Sequence, residues 1–350
     1  MNNNHLLNEI LEQPDVLRRV HAEYVLSENK SLEEASRLLS NSSPIHMTGM
    51  VTSQYGGIQA AIILNNAKKL SIVHNASELL HYHLPSLQPG ASLIAISQSG
   101  ESAEIVRLLD KLNGRLPVIG VYNSEDSYLS KHCDIGLPIH AGLQLACGSK
   151  TNLATIAVML LLATVSVGED LDKAGQDLLS IADSIESLFV DWREKFTPAV
   201  DFLTGSPYTA FLGRGPGLVS ALFTSCLFRE VSKSVAEALS AADFRHGIFE
   251  MIKPDHRVVI FAPYGSTYDL CISLAQDLID LGIPVLLVSN QDPNLPANEL
   301  LYFLQTDHYP ENWTPLLDMV PLQLIDYILA EREGLQPGVL NLATYITRIE

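Results

Sequence analysis

The stretch from Ser97 to Ser102 concentrates three hydroxyls, one amide and one glycine within six residues. It follows an apolar run with strand composition, Ala91 to Ile96, and it precedes a segment whose apolar residues recur at helical spacing, Ala103 to Leu112. A strand-to-helix turn directs free backbone N–H groups and the positive end of a helix dipole at one point, which suits a phosphate. The pattern slightly favours this interpretation over an ordinary serine-rich turn with a capping serine. The candidate phosphate ligands are Ser97, Gln98, Ser99 and Ser102.

Three polar residues further along the chain could carry out proton transfer. Glu230, Ser234 and Glu237 lie at offsets of four and seven within a segment that we predict to be one helix, 218–238, so they would share a helix face. An apolar stripe runs beside them, formed by Phe223, Leu227 and Val231. A carboxylate at the edge of such a stripe can act as a general base, although a solvated helix face is the commoner outcome.

Histidine supplies a second set of candidates. His246 precedes Gly247 at a break in the helical pattern, where an imidazole could move protons near neutral pH, although a surface histidine is the commoner outcome. His81 and His83 are spaced like metal ligands, but we attribute the pair to chance because no third ligand lies nearby in the sequence. We therefore predict no metal site.

Composition bounds the class of protein. The 350 residues are 47% hydrophobic and 18% charged, which is enough to bury a large core. The net charge of −18 argues against nucleic acid and anionic membrane surfaces as partners, and it requires that any phosphate be held by local donors. Four widely spaced cysteines, no membrane-length apolar run and no evident signal peptide predict reduced thiols in a cytoplasmic protein.

Strand and helix patterns alternate and then restart, which predicts an internal repeat with parallel sheets covered by helices on both faces. The runs 91–97 and 256–262 are each followed by a turn, an amphipathic helix and a Pro-Val strand. The second turn, 263–267, lacks the run of serines, so we assign phosphate binding to the first half and the reacting groups to the second. We predict a helical segment 1–40, an α/β domain 41–168, a helical connection 169–205 and a second α/β domain 206–350.

Taken together, these features resemble the sugar isomerase (SIS) family with two tandem isomerase domains. The resemblance covers about residues 44–350 and rests on five motifs in order: Ser97–Ser102, Phe211–Gly215, Arg229-Glu230 with Ala236–Ala238, Arg245–Gly247 and Asn341–Ala343. It implies two flavodoxin-like domains, each a five-stranded parallel sheet in a three-layer α/β/α arrangement. It also implies a homodimer that acts on a phosphosugar without a cofactor.

The resemblance also implies residue roles. Glu230 matches the carboxylate base, and His246, sixteen residues later, matches the histidine for ring opening, supplied across a dimer interface. The serine loop matches the phosphate site. The weaker sugar-pocket matches are Thr52, Ser53, Cys147, Ser149 and Glu237, and Met50 and Val51 depart from the family's pattern before the first two.

Other departures bear on the reaction. Leu227 and Thr344 stand where the family's amino-sugar synthases carry lysines, and no glutaminase domain precedes the repeats, so we expect no use of glutamine-derived ammonia. The stretch 244–250 resembles the family's fructosamine-6-phosphate deglycases, except that Ile248 stands where proline is usual. We therefore expect a deglycase that releases an amine and an aldose 6-phosphate. The alternatives are a glucosamine-6-phosphate deaminase, an aldose–ketose isomerase or, in a different class, a non-catalytic sugar-phosphate sensor.

Overall fold

Two five-stranded parallel sheets form the framework of the chain in a computed structural model, which describes residues 4–27 and 29–349. Residues 1–3, 28 and 350 lie outside the described residues. The start of the predicted helical segment 1–40, including the first residues considered for a signal peptide, and the end of the predicted domain 206–350 therefore lie outside them too. The predicted fold class, an α/β protein with two repeated parallel sheets, is confirmed.

The first sheet has the strand order β2-β1-β3-β4-β5, and every neighbouring pair is parallel. The inner strands are buried along their whole length, whereas β2 is partly exposed, as expected for an edge strand covered less completely by helices. The strands are β1 (Ile45–Gly49), β2 (Ser71–Asn75), β3 (Ser92–Ile96), β4 (Val118–Tyr122) and β5 (Ile135–Pro138).

The second sheet repeats this topology with the order β7-β6-β8-β9-β10, again all parallel. Its core packs the inner faces of the central strands against the helix that follows β8. The strands are β6 (Thr209–Gly213), β7 (Ala236–Ser240), β8 (Arg257–Phe261), β9 (Val285–Ser289) and β10 (Leu301–Gln305). Because the order is the same in both sheets, β3 and β8 hold equivalent positions.

Fourteen α-helical segments lie among the described residues, and most of them connect or flank the strands. In chain order they are α1 (His5–Leu11), α2 (Gln13–His21), α3 (Ser31–Ser40), α4 (Thr52–Asn66), α5 (Ala76–Glu78), α6 (Ala103–Leu112), α7 (Tyr128–His132), α8 (Lys150–Ser166), α9 (Leu171–Leu188), α10 (Trp192–Leu203), α11 (Pro216–Glu230), α12 (Ala241–Phe244), α13 (Tyr268–Asp280) and α14 (Pro315–Arg332). Short π-helical turns cover Ala22–Leu26 and Leu79–His83, and 3₁₀ turns cover Leu84–Ser86, Ile248–Met251 and Glu311–Trp313. No helix of the described part is both long and apolar enough to cross a membrane.

The chain divides into two compact units. The first comprises residues 1–11, 145–147 and 183–341 and contains the second sheet, and the other comprises residues 12–144, 148–182 and 342–350 and contains the first sheet. The serine loop belongs to the unit with the first sheet, and Glu230 and His246 belong to the unit with the second sheet.

The prediction of one long helix over 218–238 is wrong. Helix α11 ends at Glu230, a turn follows in which Lys233 has a φ of 56°, and residues 236–240 form β7, the edge strand beside β6. The sequence of β7 reads Ala-Glu-Ala-Leu-Ser, which favours a helix locally. Parallel pairing with β6 overrides that preference.

Candidate active site

The serine loop occupies the carboxyl edge of the first sheet, between β3 and α6, as predicted. Its hydroxyls bond within the loop, because Ser97 Oγ accepts from the Gly100 N–H at 3.1 Å and lies 3.2 Å from Ser102 Oγ. Ser99 Oγ accepts from the Glu101 N–H at 3.2 Å. Ser97 is buried, and Gln98, Ser99 and Ser102 are half-buried. The four predicted phosphate ligands therefore form one compact loop.

The neighbouring segment after β4 holds this loop in place. The Leu129 N–H donates to the Gly100 carbonyl at 3.1 Å, and the Tyr128 N–H donates to the Glu101 carboxylate at 2.7 Å. Gly100 has a φ of 66°, and a Cβ at this position would overlap the Ser127 side chain. Only glycine fits this turn, which allows the backbone to approach closely.

The amino terminus of α6 lies beside a cavity and close to the C-terminal segment. Ser102 is the N-cap residue in an extended conformation, yet its hydroxyl makes no capping bond and remains beside Ser97. The Ala103 N–H donates to the Thr347 carbonyl of the C-terminal segment at 3.1 Å. A cavity of about 580 Å³ adjoins this helix end, and its lining includes Arg107, Arg348 and Ser127. The carboxylates of Glu101 and Asp126 line the same cavity, so its two arginines are matched by two acidic side chains.

The predicted sugar-pocket hydroxyls lie on neighbouring elements of the same unit. Thr52 and Ser53 begin α4 directly after β1, which pairs with β3, so they share the carboxyl edge with the serine loop. Ser149 is the fully buried N-cap residue of α8. Helices α4 and α8 pack closely, because a Cβ on Gly56 would lie 3.0 Å from Thr155 Cγ2.

Glu230 is the last residue of α11, and it is half-buried. Burial raises the pKa of its carboxyl group, and the Cys226 thiol together with the charges of Arg229 and Lys233 partly opposes this rise. The buried Leu227 lies one helical turn before it. The carboxylate is thus positioned at the end of an apolar helix, with a pKa displaced towards neutrality, as a general base requires.

The turn after Glu230 fixes the end of α11. Lys233 Nζ donates to the Glu230 carbonyl at 2.5 Å and to the Val339 carbonyl at 2.8 Å, and the Ser234 N–H donates to the Phe228 carbonyl at 3.1 Å. Lysine at a helix carboxyl terminus satisfies carbonyls that have no partner in the helix. The backbone around the candidate base is therefore held by several independent bonds.

The predicted common helix face of Glu230, Ser234 and Glu237 does not exist. Ser234 lies in the turn, and Glu237 lies on β7, where it is exposed and accepts a hydrogen bond from the Tyr208 hydroxyl at 2.9 Å. Offsets of four and seven place residues on one face only within a continuous helix. Here the helix ends at Glu230, and side chains alternate with a period of two along the strand that carries Glu237.

His246 lies beyond the other end of β7. It follows α12, its N–H donates to the Asp243 carbonyl at 2.8 Å, and its side chain is exposed. Since α11 returns to the amino edge of the sheet before β7 begins, Glu230 and His246 flank β7 at opposite sheet edges. The five-residue strand alone separates them by roughly 16 Å.

Two further residues of this unit, Cys147 and Asp326, are electrostatically coupled to Glu230, and only the first was named from the sequence. Cys147, a weaker sugar-pocket match in the sequence, is buried in the same unit as Glu230. Burial raises the pKa of the Cys147 thiol, and the charges of Glu230, Asp326 and Glu9 raise it further. Asp326 was not considered, although it is fully buried on α14. Burial raises the pKa of Asp326 to about 8; the Ser232 hydroxyl and the Lys233 charge oppose this rise, and Glu230 adds to it. An aspartate within an apolar helix was the available signal.

Histidines elsewhere form a cluster on the first sheet. His46 Nδ1 lies 2.8 Å from His74 Nε2, and the rings of His74 and His83 have centroids 6.1 Å apart. His74 therefore lies near His83, one member of the pair that the sequence analysis attributes to chance. Nevertheless, in residues 4–27 and 29–349 no three His, Cys, Asp or Glu side chains are grouped so that they could hold a metal ion.

Comparison with known proteins identifies the class. Residues 38–165 and 203–329 each match the SIS domain, so more than half of the chain is covered and the protein belongs to the SIS domain family.

One curated protein and two solved structures illustrate what the chain is similar to. The chain is 28% identical to the glutamine–fructose-6-phosphate aminotransferase (isomerizing) of Pyrococcus horikoshii. The alignment covers 98% of this chain and 57% of that protein. It thus spans somewhat under three fifths of the length of the curated relatives that it matches. Its fold is similar to the C-terminal domain of the Francisella tularensis glucosamine-fructose-6-phosphate aminotransferase, with a TM-score of 0.85, 22% identity and coverage of 95% and 97% of the two chains. It is also similar to the Thermotoga maritima glucosamine-6-phosphate deaminase, with a TM-score of 0.78, 20% identity and coverage of 98% and 99%.

The raised pKa of Asp326 predicts a specific pH dependence of stability. The folded chain keeps this proton up to about pH 8, whereas the unfolded chain loses it near pH 4, so the free energy of unfolding falls as the pH rises between these values. We expect Asp326→Asn to remove this contribution. Relative to wild type, the variant should gain up to roughly 1.4 kcal/mol of unfolding free energy per pH unit in that window.

Urea unfolding at about pH 5 and about pH 7.5 measures the effect. Asp269→Asn, at an exposed position of the same unit, is the matched control. If wild type and Asp326→Asn show the same pH dependence, the buried carboxyl group does not titrate as described.

Proposed function

We propose that this protein is a deglycase of fructosamine 6-phosphates. The observation that carries the proposal is the half-buried Glu230, whose carboxylate stands at the apolar end of α11 with a raised pKa. In the proposed mechanism, Glu230 accepts a proton from C1 of the open-chain ketosamine while the C2 carbonyl oxygen takes up a proton, which gives an enaminol with a C1=C2 double bond. Return of a proton to C2 then leaves a protonated imine between C1 and the amine nitrogen, and water hydrolyses it to a free amine and an aldose 6-phosphate.

The proposed substrate contacts follow the serine loop and its neighbours. The phosphate would be held by the loop side chains, and the sugar hydroxyls by Thr52, Ser53 and Ser149. Cys147 and Glu237 remain weaker predictions: Cys147 is buried near Glu230, and Glu237 is exposed and bonded to Tyr208. The proton transfers of the proposed mechanism are acid–base chemistry that side chains themselves can perform.

The residues at two positions favour amine release over amine incorporation. Leu227 is a buried residue of α11, and the Thr344 hydroxyl donates to the Ile346 carbonyl at 2.9 Å. Neither supplies an amine that could form an imine with a sugar. Deamination of glucosamine 6-phosphate and aldose–ketose isomerisation would use the same Glu230 and are the alternative reactions, and a sugar-phosphate sensor without catalysis is the alternative class.

Cytoplasmic localisation is part of the proposal. Cys133, Cys147, Cys226 and Cys271 are all free thiols in the structure, and three of them are buried. Free thiols of this kind persist in a reducing compartment.

An activity assay with Glu230→Gln tests the reaction. Purified protein is incubated with fructosamine 6-phosphates, glucosamine 6-phosphate and fructose 6-phosphate, and the aldose 6-phosphate, ammonia and amine products are measured. We expect fructosamine 6-phosphate turnover to fall by roughly 100-fold or more in Glu230→Gln, because the amide keeps the shape but cannot accept the proton.

Turnover of only the other substrates would identify one of the alternative reactions and contradict the deglycase. Binding without turnover of any of them would indicate a sensor. Near-normal turnover by Glu230→Gln would show that a different residue is the base.

Phosphate binding is tested by Ser97→Ala combined with Ser99→Ala. Each lost charge-assisted hydrogen bond costs roughly 1.5–3 kcal/mol, so we expect affinity for glucose 6-phosphate to fall by roughly 100-fold or more in calorimetry. The control is Ser266→Ala in the equivalent turn after β8, where the serine bonds to Glu311. Unchanged affinity of the double variant would exclude the loop as the phosphate site.

We further propose a homodimer with shared sites, in which His246 of one chain serves Glu230 of the other. The positions of the two residues at opposite ends of β7 support this arrangement. Mixing inactive Glu230→Gln and His246→Ala chains under conditions of subunit exchange should then restore activity, because one of the two sites in a heterodimer carries both native residues. We expect about half of the wild-type activity per heterodimer. Verified heterodimers that stay inactive would show that His246 acts within its own chain.

A further inference from the structure

The carboxylate of Glu230 has an unusual neighbour. Cys226 Sγ lies 3.6 Å from Glu230 Oε1, within the range of a hydrogen bond to sulfur. The two residues are four apart on α11, so the helix itself brings the side chains together. Among the described residues, no other side chain forms a hydrogen bond with this carboxylate.

The thiol is enclosed, whereas the carboxylate is half-exposed. Cys226 is only 5% exposed and lies next to Leu227, which is 2% exposed. Burial raises the pKa of the Cys226 thiol to about 12, so the group keeps its proton and acts as a donor. The hydrogen bond therefore joins Oε1 of Glu230 to a buried donor.

Charged and titratable groups reach Glu230 from each element around it. Arg229 belongs to α11, Lys233 to the following turn, Cys147 to the segment 145–147 and Asp326 to α14. The two cations favour the ionised carboxylate, and burial disfavours it. Lys233 Nζ is engaged with the Glu230 and Val339 carbonyls, so the thiol is the group that contacts the carboxylate itself.

We propose that Cys226 is a positioning residue for Glu230, whose S–H group orients Oε1 and leaves Oε2 free to accept the substrate's proton. A thiol is a weak donor, so it restrains the carboxylate without strongly stabilising its ionised form. A strong donor at the same place would make Glu230 a poorer base, and an aliphatic side chain would leave the carboxylate free to rotate. This inference rests on the proposed function of Glu230 as the base.

The direct test is the pKa of Glu230 in variants of residue 226. Protein with ¹³C-labelled glutamate is titrated by NMR, and the Glu230 carboxyl resonance is assigned by its absence in Glu230→Gln. Loss of a donor to the ionised form raises a carboxyl pKa. We expect Cys226→Ala to raise the pKa of Glu230 by about half a pH unit or more, and Cys226→Ser, which keeps a donor, to hold it at or below the wild-type value.

The kinetic readout uses the same variants with a fructosamine 6-phosphate. The acidic limb of the pH–rate profile should move upward in Cys226→Ala, and kcat should fall more than KM rises. In Cys226→Ser the limb should stay at or below the wild-type position, and kcat should recover only in part, because the hydroxyl restores the orientation but is a stronger donor than the thiol. Cys271→Ala controls for the loss of a buried thiol, because Cys271 is 1% exposed on α13 of the same unit. A lowered kcat without a shift in the Glu230 pKa would indicate a merely structural role and overturn the inference.

The two proposals fail separately. An unchanged Glu230 pKa and an unchanged profile in Cys226→Ala, while Glu230→Gln is inactive, would refute the role of Cys226 and leave the base assignment intact. Full activity of Glu230→Gln would refute the base assignment, and the NMR titration would still decide whether the thiol controls this carboxylate.

Discussion

The end of α11 at Glu230 is the constraint on which the rest of this account depends. The chain leaves the helix through Lys233 at positive φ, with its ammonium group on the Glu230 carbonyl, and then enters β7 beside β6. This turn places a carboxylate at the amino edge of the second sheet and sends His246 to the opposite edge. A helix that continued to residue 238 would replace β7 and remove the strand that lies between Glu230 and His246.

The sequence was informative where a local pattern has a single physical meaning. Alternating strands and helices with two Pro-Val strands at matching places indicated the repeat, and both sheets indeed have the same order. The serine loop was placed correctly because a run of hydroxyls between a strand and a helix occupies the carboxyl edge of a parallel sheet.

Prediction failed where tertiary contacts outweighed local preference. Nothing in the residues of β7 marks a strand, and its identity depends on pairing with β6. Asp326 is more than ninety positions from Glu230 in the sequence, and Cys147 is more than eighty, so their proximity to that carboxylate depends on the fold. The Cys226 bond could have been found, since residues four apart on a helix face each other, but only once the helix end was known.

The central proposal is that the serine loop of the first sheet holds the phosphate of a phosphosugar. A crystal structure of the protein with glucose 6-phosphate tests it most directly. The account predicts phosphate oxygens at about 2.7–3.2 Å from donors of residues 97–102. A phosphate bound away from the serine loop would contradict it.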